Sequence, residues 1–134
     1  MKVVLDTNVL VSGIFFGGQP EKILNAWLQE KFAVYATPSI LSEYLRVIIK
    51  MDRDGGNERA LQWMASLSEL FHLVPDSSGQ KPISRDASDD KFLYCATHAQ
   101  ANYLITGDSD LKVLEDTYSF KIVSPKQFLE ILKR

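Results

Sequence analysis

Five short apolar runs, at residues 2–6, 32–36, 71–74, 102–106 and 120–123, alternate along the chain with stretches of helical periodicity. Runs of this length, bounded by turn residues, read as buried strands. The intervening patterns predict helices at 20–31, at 38–51, from the break at 52–57 to Leu70, and at 89–101. A short helix is expected after Asp110 and a last one at 125–133. Thr37 followed by Pro38 is a helix start, with a hydroxyl cap and a proline that needs no hydrogen-bonded N–H, and Pro125 opens the last helix. Strand–helix–strand alternation joined by right-handed crossovers predicts an α/β fold, a mainly parallel sheet covered by helices on both faces. There is no internal repeat or linker, so residues 1–134 are expected to form one domain.

A chain of 134 residues that is 46% hydrophobic suits a single substantial core. The net charge of −2 excludes a protein that holds nucleic acid by overall charge, so any such role needs a local patch. Cys95 is the single cysteine, which excludes an internal disulfide and fits a reducing compartment. No run approaches the roughly 18 apolar residues of a membrane span, and no signal segment opens the chain, so a cytoplasmic location with no membrane partner is expected.

Acidic residues recur where strands are expected to end. Asp6 follows Val3-Val4-Leu5, and Asp108 follows Tyr103-Leu104-Ile105-Thr106-Gly107. Ligand sites of open α/β sheets lie outside the carboxyl ends of strands, so two carboxylates there point toward one place. Glu43 falls in the second turn of the helix opened by Thr37-Pro38, beside the apolar stripe of Ile40 and Val47. Asp86-Ala87-Ser88-Asp89-Asp90 precedes a fourth helix. Asp86 or Ser88 can cap it, but capping does not require three aspartates, and at least one of Asp89 and Asp90 is expected to face inward. A tight turn capped by Asp108 or Ser109 accounts for one aspartate of the Asp108–Asp110 cluster. Carboxylates gathered in one cleft repel, and a divalent cation resolves that conflict. Oxygen donors favour Mg2+ or Mn2+, whereas two separated histidines and one cysteine make a poor zinc site.

Leu5-Asp6-Thr7-Asn8-Val9-Leu10, Pro38-Ser39 to Glu43, Asp86 to Asp90-Lys91-Phe92-Leu93, and Thr106-Gly107-Asp108-Ser109-Asp110-Leu111 together resemble the PIN-domain nucleases, in the family's order and over nearly the whole chain. The resemblance is greatest to the VapC-like toxins of toxin–antitoxin modules. It implies a three-layer fold with a five-stranded parallel sheet of order 3-2-1-4-5, and a magnesium- or manganese-dependent ribonuclease. Carried over by position, Asp6, Glu43 and Asp90 match the three central acids and Asp108 the fourth, with Asp110 as the alternative in that turn. Asp6 and Asp90 would hold the metal directly, and Glu43 and Asp108 through water or at a second site. Thr7, Asn8, Ser39 and Thr106 match supporting polar residues, with Asp89 beside Asp90. Ala87 stands where many relatives have proline. The products implied are a 5′-phosphate and a 3′-hydroxyl, and the partners implied are RNA, a cognate antitoxin and a second copy of the chain.

Arg46 and Lys50, on the helix that carries Glu43, are the candidate RNA-binding residues, with Arg53, Arg59 and Arg85 nearby in the chain. Phe15-Phe16 is a base-stacking candidate or loop packing. Trp27, Trp63, Met64 and Leu67 are expected in the core. Two other functions compete: a magnesium-dependent phosphatase, which would need an aspartate where Asn8 stands, and a catalytically silent PIN-like binding module.

Overall fold

The computed structural model describes residues 1–53, 55–76 and 90–134. In chain order these residues form β1 (Lys2–Leu5), α1 (Thr7–Phe15), α2 (Gly18–Leu28), β2 (Ala33–Ala36), α3 (Pro38–Met51), α4 (Glu58–Leu67) and β3 (His72–Leu73). They continue with α5 (Asp90–His98), β4 (Tyr103–Ile105), α6 (Ser109–Lys112), a 3-10 turn at Glu115–Thr117, β5 (Lys121–Val123) and α7 (Pro125–Leu132). The five strands make one parallel sheet of order β3-β2-β1-β4-β5, flanked by the helices. This is the expected α/β architecture and strand order.

The sheet centre is apolar on both faces, as a parallel sheet covered by helices requires. Val3, Val4, Leu5, Leu104 and Ile105 are fully buried. Trp27 is buried edge-on to Phe71, with ring centroids 4.8 Å apart. Leu67 is buried, while Trp63 and Met64 pack at the margin of the core.

Local chemistry sets the helix starts. The Thr37 hydroxyl accepts the Ile40 N–H at 3.2 Å with Pro38 in the first turn. Asn57 caps α4 through the Ala60 N–H. Ser124 and Gln127 form a reciprocal capping box at α7.

Two expectations need correction. The first helix was expected at residue 20, but α1 begins at Thr7. It packs against α2, α3 and α4, and it buries Val9, Leu10, Val11, Gly13 and Ile14. A helix enclosed on several sides loses the one-sided stripe by which helices are recognised. A Cβ on Gly13 would lie 2.7 Å from Leu24 Cδ1, so glycine there permits the close approach of α1 and α2. The third strand was expected over 71–74, but only His72 and Leu73 pair with β2, and both are exposed on the sheet edge.

Candidate active site

β1 and β4 are neighbours in register, Leu5 opposite Ile105, so the chain leaves both strands at one level. The ladder extends one step further: the Asp6 N–H donates to the Ile105 carbonyl at 3.0 Å, and the Thr106 N–H donates to the Val123 carbonyl at 2.9 Å. Asp6 and Thr106 are therefore held side by side by backbone. Strand order reverses here, since the chain proceeds from β1 to β2 on one side and from β4 to β5 on the other, which makes the cleft a topological switch point.

Asp6 sits at the N-cap of α1, yet its side chain makes no N-cap bond across the first turn. Its Oδ2 instead accepts the Thr106 hydroxyl at 2.6 Å. Burial pushes its carboxyl up from the usual carboxylate range. Hydrogen bonds from Thr106 and the Thr7 backbone oppose the rise, and the charges of Asp108 and Glu43 reinforce it. Thr106 also accepts the Asp108 N–H at 3.0 Å, so one hydroxyl ties the two strand ends together. Asp108 in turn accepts the Asp110 N–H at 2.8 Å as the cap of α6.

Glu43 reaches the same place from α3. Its Oε2 accepts the Thr7 hydroxyl, its Oε1 pairs with Lys91 of α5, and Arg46 lies 3.8 Å from that oxygen. The next residue, Tyr44, is buried and donates its hydroxyl to the Leu5 carbonyl at 2.5 Å. Burial pushes the Tyr44 phenol well up, with further contributions from Cys95, Asp6 and Glu43. Tyr44 fastens α3 to the end of β1 and fixes Glu43 relative to Asp6.

The structure thus brings Asp6, Thr7, Glu43, Thr106 and Asp108 together. Asp90 begins α5, beside Lys91, and its charge reinforces the burial that raises the Tyr118 phenol. Asn8 and Asp110 are exposed. The Ser39 N–H donates to Asp76 at 3.1 Å. Desolvation works to raise the Asp76 carboxyl, but the Ser39 and Thr37 hydrogen bonds outweigh it and hold it low. Arg59 is tied to the Ile14 carbonyl at 2.8 Å and to Glu21, so it serves the end of α1. Lys50 and Arg53 are exposed. Phe15 packs against the core while Phe16 is 75% exposed. Asp86, Ala87, Ser88, Asp89 and Arg85 lie outside the described residues. His72 stacks on Tyr35 and His98 on Tyr94, in line with packing roles.

Lys91 and Asp76 were not singled out from sequence as site candidates. Lys91 was legible only as the residue after Asp90, and its reach to Glu43 depends on α3 meeting α5. Asp76 lay in a stretch read as polar loop.

The donor set fits a hard divalent cation. It holds carboxylates and hydroxyls without imidazole or thiolate, and Asp6 is a buried acid whose charge is opposed by two other acids. Among the described residues no three His, Cys, Asp or Glu side chains stand as a ready-made ligand cluster. The fit is therefore to an ion with few protein ligands and several waters, the mode Mg2+ prefers.

Fold and cleft define an open parallel α/β protein with an acidic switch point. Residues 2–110 match the PIN domain, and the chain belongs to that family, whose members are generally nucleases. It is 34% identical to an uncharacterized protein of Methanocaldococcus jannaschii, over 97% of this chain and 90% of the relative. Two solved structures share the fold. A Pyrobaculum aerophilum protein has a TM-score of 0.61 at 14% identity, covering 98% of this chain and 88% of its own. VapBC2 from Rickettsia felis, solved bound to a DNA fragment from its promoter, has a TM-score of 0.56 at 13% identity, covering 92% and 98%. No helix among the described residues is long and apolar enough to cross a membrane.

Proposed function

We propose that the chain is a magnesium- or manganese-dependent ribonuclease that hydrolyses RNA phosphodiester bonds, and the toxin of a toxin–antitoxin module. The observation that carries the reading is the set of charges of Asp6, Glu43 and Asp108 coupled across the switch point, with Thr106 and Thr7 holding two of the carboxylates. Family membership supports nuclease chemistry. The likeness to VapBC2 supports an antitoxin partner, and the homodimer follows from the sequence resemblance.

In this reading Asp6 and Asp90 would hold the ion, with Glu43 and Asp108 as the further acids of the site. Bound there, a divalent ion would neutralise charge in the transition state and make water a better nucleophile. Thr106 fixes the Asp6 carboxylate by occupying Oδ2. Thr7 fixes Glu43, and Lys91 offsets part of the negative charge that a phosphodiester would meet. In this reading Arg46, at the rim beside Glu43, meets a phosphate of the RNA. No histidine or serine nucleophile is required.

The test is cleavage of single-stranded RNA by the wild type with Mg2+ or Mn2+, with the termini identified. The reading predicts 5′-phosphate ends, loss of cleavage in chelator, and loss in Asp6→Asn. Full activity of Asp6→Asn contradicts it.

A further inference from the structure

A groove of about 360 Å3 lies between α2 and α7, which pack against one another. Its walls carry Lys22 and Lys31 on one side and Lys126 and Lys133 on the other, with Glu130 the single acid. Four of the chain's fifteen Lys and Arg residues thus surround one groove, in a protein whose net charge is −2. All four are exposed. Several other basic side chains lie against acids: Lys91 and Arg46 share Glu43, Arg59 pairs with Glu21, and Lys112 with Glu115. Among the described residues none of the four groove lysines makes an ion pair. Glu130 is likewise unpaired there, so the groove keeps a net positive charge that solvent alone screens.

We propose that this groove is a second RNA contact, binding the sugar-phosphate backbone of a single strand outside the acidic cleft. The proposal rests on the ribonuclease reading and extends it to the flanking substrate. Positive charge on both walls suits a linear polyanion lying between the helices. Lys126 and Lys133 are seven residues apart, about 10 Å along a helix axis, so one wall can meet phosphates of more than one nucleotide. Lysine is a point charge without the planar fork that reads base edges, and no aromatic residue lines the groove. Contact is therefore with the backbone and indifferent to sequence.

The experiment measures binding of labelled single-stranded oligoribonucleotides to the full chain in the Asp6→Asn background, across a salt series. Paired Lys22→Gln/Lys31→Gln and Lys126→Gln/Lys133→Gln variants are compared with it, and circular dichroism checks the fold. Each pair is expected to weaken binding to every sequence tested. Each should also flatten the plot of log affinity against log salt by about 1.4, at about 0.7 per lost phosphate contact. Glu130→Gln should act in the opposite direction and tighten binding. With Asp6 intact, the lysine pairs should raise KM and leave kcat and Mn2+ affinity unchanged. Unaltered affinity and slope in both pairs would overturn the proposal, as would a poly-glutamate chain binding the groove more tightly than RNA. The two readings fail separately. Lysine-dependent RNA binding without wild-type cleavage sinks the nuclease reading alone, and cleavage with lysine-independent binding sinks the groove alone.

Discussion

Replacing Thr106 by Val removes one hydroxyl and keeps the side-chain shape. Thr106 is 4% exposed, its Oγ1 donates to Asp6 Oδ2 at 2.6 Å, and it accepts the Asp108 N–H at 3.0 Å. A hydrogen bond to an ionised carboxylate contributes about 1.5–3 kcal/mol, and an ordinary backbone bond about 1 kcal/mol. Asp108 is partly exposed, so water replaces some of the second contact. The expected loss is about 2–4 kcal/mol in urea unfolding near neutral pH without divalent ions, and Thr106→Ser should recover most of it. The pH dependence has a definite sign. Thr106 is the strongest influence holding the Asp6 carboxyl down against burial, so Thr106→Val raises its folded pKa further. A group with a raised folded pKa contributes stability that is complete below its unfolded pKa and is lost as pH rises through the folded one. The deficit of Thr106→Val should therefore shrink as pH falls from 7 toward the ordinary carboxylate range. A loss below about 0.5 kcal/mol, or one that does not change with pH, would refute the role assigned to this hydroxyl.

By the same linkage, Asp6→Asn should be as stable as the wild type or more so at pH 7 without divalent ions, with the advantage disappearing in acid; urea midpoints across pH measure it, and a large destabilisation at pH 7 would be the contrary result. Lys91→Met should tighten Mn2+ binding, because an ammonium no longer competes for Glu43. A partly exposed pair contributes up to about 1 kcal/mol, so the gain is at most about fivefold, and weaker Mn2+ binding would contradict it. Asp108→Asn should reduce RNA cleavage far more than Asp110→Asn, since it is Asp108 whose charge acts on Asp6; equal kcat/KM losses would show that the turn shares the role.

Much of the sheet was legible because buried parallel strands are short, continuous apolar runs. The α3 start was legible because Thr37-Pro38 carries its cap in sequence, and the α7 start because Pro125 opens it. The strand order came from the motif resemblance, as periodicity does not specify which strands are neighbours. The α1 helix was hidden by burial on several sides. The short β3 pairing was hidden because residues 71–74 have a strand's composition but only an edge position. In the cleft, Asp6 and Asp108 were visible as acids after strands. Lys91 and Tyr44 were not, because their roles depend on where α3 meets α5 and β1, contacts that no local pattern encodes.

If the acids at the β1–β4 switch point hold a divalent ion that drives RNA cleavage, metal binding and turnover must rise and fall together. Titrating Mn2+ into the wild type and Asp6→Asn while following RNA cleavage in the same samples reads both. The wild type should bind Mn2+ saturably, cleavage should rise with site occupancy, and Asp6→Asn should lose binding and cleavage together. Cleavage that persists in excess chelator, or Mn2+ binding unaffected by Asp6→Asn, would contradict it.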